Sequence, residues 1–205
     1  MTRERAGETG VAKGMSTIDP SSGPNAYGFT ARLFHWITAA AIAVMVPLGL
    51  AMSYRGNTLN IWDGLTDTLY SAHKTVGFLL LWFVVARLIH RWRHPSPPPE
   101  PDMPRWRQAV ATLTHWLLYG LLILVPMLGW LGVSLFPALT LFGLVDLPAI
   151  ASPDEMRAKA VLALHGTLAL LLAGLALLHL AAALEHHLIR RDGVLRRMWP
   201  SPGRS

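Results

Sequence analysis

The chain of 205 residues contains no cysteine, and only 15% of its residues are charged. Without thiols there is no disulfide framework, no iron–sulfur cluster, no thiolate zinc site and no C-x-x-C-H attachment of a covalent haem. Cysteine usage therefore says nothing about redox compartment. Soluble domains carry about 25% charged residues, so the shortage of charge points away from one. Residues 1–30 lack any apolar run of signal-peptide type and mix charge, Gly, Ser and Pro, which predicts a disordered tail. Ten-residue alternating strands of a membrane barrel are also missing.

What is present is hydrophobic: 52% of the residues, with a mean hydropathy of +0.37. Four apolar stretches, 33–53, 70–90, 111–135 and 160–188, each reach the roughly 20 residues that cross a bilayer as a helix. The expectation is an all-α, integral membrane four-helix bundle over 31–200. Segment 94–104 holds six prolines and reads as a stiff extended linker. Segment 136–159, semi-apolar with three prolines, reads as a short helix lying on the membrane surface.

Of the 18 Lys and Arg residues, fourteen fall in the N-terminal tail, the second-to-third connection and the C-terminus. Only Arg55, Lys74, Arg157 and Lys159 fall on the other side. The positive-inside rule then puts both termini in the cytoplasm. This asymmetry explains the net charge of +6 without nucleic acid as a partner; the bilayer is the partner.

Ionisable residues in membrane spans mark functional sites, and here they are histidines. His165 and His179 lie 14 residues apart, within 40° of the same helix face and about 21 Å apart along the axis. One therefore sits near each surface of the hydrocarbon core. His73 opens the second helix at the depth of His165, and His35 opens the first at the depth of His179. Opposed histidines at two depths suit the iron of two non-covalent b haems. His115 has the right depth to replace His35, and a weak repeat relates them: His35-Trp36 with Gly49 at +14, and His115-Trp116 with Gly129 at +14. Both partners for His179 stay open on spacing alone. Gly77, Gly166 and Gly174 offer gaps for a flat macrocycle. Thr75 and Thr167 read as hydroxyls bonded back to their own helix. His90 and His94 read as an interfacial basic cluster. Zinc is disfavoured because no acid accompanies His73 and His165.

The order and spacing of several motifs resemble the bacterial cytochrome b561 family over about residues 28–200. They are R-L-x-H-W at Arg32–Trp36, H-x-x-x-G at His73–Gly77, V-x-R-L at Val85–Leu88 and H-W-x-x-Y at His115–Tyr119. H-x-A-A-A-L-x-H-H at His179–His187 and L-R-R-M at Leu195–Met198 complete them. The resemblance implies a di-haem b cytochrome with His35 and His179 on the cytoplasmic haem and His73 and His165 on the periplasmic one. It also implies electron transfer between a periplasmic donor and ubiquinone, the donor being superoxide in a superoxide oxidase of the family.

Lys74, Arg157 and Lys159 are candidates for steering that anion to the periplasmic haem. His186, one heptad beyond His179, and His115 are candidate quinone contacts. Two rival readings are an electron-carrier subunit for a separate periplasmic dehydrogenase or c-type cytochrome, and a haem-free histidine-lined transporter.

Overall fold

The computed structural model describes residues 26–98 and 103–199. Residues 1–25 of the stretch read as a tail, and residues 99–102 of the proline linker, lie outside the described residues. Four helices are long and apolar enough to cross a membrane. They are α1 (Phe29–Ser53), α2 (Gly64–Arg93), α3 (Arg105–Leu135) and α4 (Glu155–Glu185). A π-helical turn prolongs α1 over Tyr54–Thr58 and α4 over His186–Arg190. A helix of 30 residues is about 45 Å long, enough for the hydrocarbon core and both interfaces.

The starts of α2 and α4 are written locally. Asp63 and Asp154 hold extended backbone, and their carboxylates accept the Thr66 and Arg157 N–H at 2.9 and 3.0 Å. Pro104 precedes α3, where a missing N–H costs nothing. The observed helices begin four to six residues before the predicted ones, because hydropathy sees the apolar core and misses these polar first turns.

Segment 136–159 corrects an expectation. Residues 136–154 form no helix: a small antiparallel hairpin pairs β1 (Thr140–Leu141) with β2 (Val145–Asp146), and α4 takes up the chain from Glu155. Phe142 and Gly143 turn it at φ 52° and 71°, and Pro137, Pro148 and Pro153 flank it. Those left-handed dihedrals and prolines exclude a continuous helix. Lys74 clips the hairpin to α2 by donating to the Ala138 and Thr140 carbonyls at 2.9 and 2.5 Å. The Ser71 hydroxyl accepts the Phe142 N–H.

In the bundle α3 packs on α4, α1 on α2 and α2 on α3, while α1 and α4 scarcely touch. The core is a small cluster of Leu80, Val84, Leu121, Leu122, Val125 and Leu172. Leu79, Trp82, Leu124, Leu170, Leu177 and Leu178 stay exposed, as lipid-facing side chains do. Close approach of α3 to α4 depends on Gly132, because a Cβ there would stand 2.4 Å from Leu162 Cδ2. At the end carrying both termini, the segment after α4 folds back on the start of α1. The Tyr27 N–H, Arg32 Nη1 and Trp36 Nε1 donate to the carbonyls of Arg197, Trp199 and Met198. This terminal end lies opposite the hairpin end.

Two outcomes are expected. Gly132→Ala forces Leu162 off its position and lowers stability to chemical unfolding in detergent by about 1–3 kcal/mol. Gly120→Ala, with nothing within 4 Å, does not. At Asp63 the Thr66 N–H, then Arg55 and the Thr66 hydroxyl, hold the carboxyl at about 2, below its ordinary value of 3.8. A depressed carboxyl stabilises above its unfolded value and stops doing so as pH falls through the folded one. The thermal midpoint of Asp63→Asn should therefore trail the parent by a constant margin down to about pH 4, the gap closing by about pH 2.

Candidate functional site

The bundle brings four of the predicted histidines together as two pairs. His35 of α1 faces His179 of α4 with ring centres 6.2 Å apart, across the interval where these helices scarcely touch. His73 of α2 faces His165 of α4 at 6.1 Å. Two imidazoles binding one ion from opposite sides at about 2.0–2.1 Å have ring centres roughly 6.3 Å apart. Both pairs fit that span. His115 stands 5.3 Å from His179, short of it. Among the described residues no group of three or more His, Asp or Glu is arranged for a bare metal ion.

At the hairpin end the pair opens on a cavity of about 1370 Å³, beyond the roughly 300–1,000 Å³ of ordinary small-molecule sites. Met45, Gly77, Leu122, Gly166 and Leu172 line it with both imidazoles. His165 is oriented by its Nδ1, 2.8 Å from the Val125 carbonyl. A carbonyl only accepts, so Nδ1 carries the proton and Nε2 is left as a ligand. His73 Nδ1 is buried with no hydrogen-bond partner, an unmet polar atom on the cavity wall.

The glycines that seat these rings are Gly49 and Gly129. A Cβ on Gly49 would come within 3.0 Å of His73 Cε1, and one on Gly129 within 3.1 Å of His165 Cε1. They are the +14 positions of the sequence repeat, whose meaning is thereby physical: α1 and α3 each carry a histidine at the terminal end and a glycine backing an imidazole at the hairpin end. The glycines singled out from sequence have other settings. Gly77 would meet only Met45, and Gly166 and Gly174 face open space. Thr75 and Thr167 bond back to the Ser71 and Ala163 carbonyls, as read from sequence.

The remaining candidates are dispersed. Lys74 and Lys159 line the cavity; Arg157 does not. Lys159 pairs with Glu155 at 2.8 Å and Arg157 with Asp154 at 3.1 Å, so the positive charge of each is matched by its own helix turn. At the terminal end His186 Nδ1 meets Asp192 at 2.5 Å. Burial works to raise the Asp192 carboxyl. The hydrogen bonds from His186 and the Val194 N–H, with Arg190 nearby, outweigh it and hold the group below its ordinary range. His90 and His94 stack at 4.3 Å beside the linker. Sequence reasoning passed over Arg87, whose Nη2 lies 3.3 Å from His35 Nδ1 and whose Cζ sits 5.2 Å over the Tyr119 ring. The signal was available, an arginine three residues inside the charged end of an apolar run.

Comparison with known proteins agrees with this architecture. The profile of the family described as prokaryotic cytochrome b561 matches residues 26–201. "Cytochrome b561 homolog 2" of Escherichia coli (strain K12) is 33% identical over 176 residues, covering 85% of this chain and 92% of that protein. "Cytochrome b561 homolog 1" of the same organism is 28% identical over 184 residues, 86% and 98% of the two chains. "Probable superoxide oxidase CybB" of Yersinia pestis is 29% identical over 138 residues, 62% and 73% of the two chains. A b-type haem is the cofactor this family implies, and paired imidazoles beside a large apolar cavity suit one. The chain belongs to the prokaryotic cytochrome b561 family, bacterial four-helix membrane proteins of electron transfer.

Proposed function

We propose that the protein moves electrons across the inner membrane between a periplasmic donor, superoxide, and ubiquinone, with both termini in the cytoplasm. Two histidine pairs of the same span, at two depths fixed by 14 residues of α4, carry this reading. His73 and His165 would hold one b haem near the periplasm, and His35 and His179 the other near the cytoplasm. Bound there, each haem would supply a one-electron carrier. The chain's own work is placement. Gly49 and Gly129 admit the imidazoles, the Val125 carbonyl fixes the His165 tautomer, and lipid-facing leucines keep water from the path.

Superoxide is a small anion, and the hairpin end meets it chiefly with Lys74. That ammonium neighbours His73 and is bonded to neutral carbonyls, whereas Arg157 and Lys159 are each paired with an acid. A relative named as a probable superoxide oxidase supports this donor. At the cytoplasmic end His186, oriented by Asp192, would supply the proton that quinone reduction consumes, with His115 beside His179 as the second polar contact. The electron-carrier reading finds support in one feature, the hairpin, whose Phe142 and Leu144 are exposed where a periplasmic protein would dock.

Haem counting by pyridine haemochrome tests the ligands. His73→Ala and His165→Ala should each remove the same haem, His35→Ala the other, and His115→Ala neither. Gly49→Val and Gly129→Val should lower the count as His73→Ala does, while Gly120→Val leaves it at two. Two haems retained by His35→Ala would exchange the roles of His35 and His115, and no haem in any preparation would leave a transporter.

Donor identity is read separately by stopped flow. Lys74→Gln should slow reduction by superoxide several-fold at low ionic strength, with the difference shrinking once salt reduces the Debye length to about 3–10 Å. An unchanged rate and salt dependence would remove superoxide steering and favour a protein donor on the hairpin.

A further inference from the structure

Arg87 and Arg91 lie one turn apart on the same face of α2, inside a membrane-spanning helix. Neither enters an ion pair among the described residues. Arg91 Nη1 is buried with no hydrogen-bond partner. Arg87 stands at the terminal-end histidines, its Nη2 3.3 Å from His35 Nδ1, and Arg91 lies one turn further along the same face. The acids described at that end, Glu185 and Asp192, are engaged by Arg107, Arg190 and His186. A buried guanidinium nitrogen with an unmet N–H is costly in a bilayer, and an intramembrane cation marks a functional site.

The contact from Arg87 to His35 does not meet that need once His35 binds a metal. A guanidinium has only N–H donors, so the contact makes His35 Nδ1 an acceptor and leaves the ring proton on Nε2. An imidazole that ligates through Nε2 has its proton on Nδ1 and no longer accepts. Ligation by His35 therefore sets Arg87 free beside Arg91. Tyr119 keeps the guanidinium in place through a cation–π contact, with Cζ 5.2 Å from the ring centre.

Two guanidinium forks one turn apart on one helix face match carboxylates, which they bind bidentately. We propose that Arg87 and Arg91 form the binding site for the two carboxylates of the haem that His35 and His179 would hold. The proposal rests on the bis-histidine reading above. An anionic lipid phosphate offers the fork similar chemistry, and the experiment separates the two.

The haem-loaded protein is produced with haem carrying carbon-13 at its carboxyl groups, and redox-difference infrared spectra are recorded. Arg87→Gln and Arg91→Gln should shift the labelled carboxylate bands, Arg91→Lys should shift them less, and Arg105→Gln, at the exposed start of α3, should leave them in place. Transfer of haem to excess apomyoglobin should accelerate about tenfold for one haem of the two in Arg91→Gln, the loss of one charge-assisted pair. Labelled bands unmoved in both variants, with normal haem content and release, overturn the site. So does a loss of co-purified phospholipid phosphate in Arg91→Gln without any band shift, which assigns the fork to lipid. His35→Ala run in parallel separates the premises: two haems retained there strike the ligand assignment, whereas unmoved bands at full haem content strike only the arginine site.

Discussion

Fourteen residues of α4 separate His165 from His179, and the rest of the bundle is arranged around that interval. α4 is apolar on all sides, so hydrophobicity cannot set its rotation in lipid. Its orientation is fixed by specific contacts instead: two imidazoles that must avoid hydrocarbon, and Leu162 lodged where Gly132 leaves room. Once those are satisfied, α2 has to bring His73 to one level and α1 has to bring His35 to the other. α3 contributes from behind, with the Val125 carbonyl and Gly129 setting the ring of His165. The sparse contact between α1 and α4 is then a requirement, since close packing there would leave nothing but the two rings between the helices.

Small residues and backbone carbonyls, rather than polar side chains, do the positioning at the hairpin end. A glycine opposite an imidazole lets the ring lie against a neighbouring helix without displacing it, and a carbonyl can orient the ring without adding a charge to the bilayer. α1 and α3 supply equivalent histidine and glycine positions, yet only His35 matches the span across to His179. The repeat is therefore symmetric in its glycines and asymmetric in its histidines. His115 is left as a polar neighbour of the terminal pair.

Much of this was legible in the residues. Hydropathy locates four spans, since a bilayer imposes a length and a polarity that a single sequence displays directly. Helical phase places His165 and His179 on one face, and topology supplies the depths of His35 and His73. Long-range and local polar features were less accessible. The hairpin at 140–146 was read as a helix because its residues are apolar; its identity lies in two left-handed dihedrals and a clip from Lys74, 64 residues distant for its Ala138 bond. L-R-R-M at Leu195–Met198 stood out as a pattern without a purpose. Its purpose is in its backbone, because the carbonyls of Arg197 and Met198 close the start of α1, and no side-chain chemistry announces that. Gly49 and Gly129 were visible as a repeat, but what they face depends on packing between helices.

Electrostatics separates the two ends more sharply than composition suggests. At the hairpin end Arg55, Lys74, Arg157 and Lys159 share the surface with Asp63, Asp67, Asp146, Asp154 and Glu155, so acids slightly outnumber cations. Three of those cations are held in ion pairs by near neighbours in sequence. The field there is local, and an anion approaching from water would sense Lys74 beside the cavity rather than a broad basic surface. At the terminal end Arg32 and Arg91 keep buried nitrogens unpartnered, and Arg87 leans on a histidine ring. Topology alone accounts for arginine outside the membrane on that side, where water and headgroups solvate it. It does not account for guanidinium nitrogens that are buried among helices. Those need a counter-charge within reach, and at Arg91 the proposed one is a haem carboxylate that Arg87, one turn away on α2, would share.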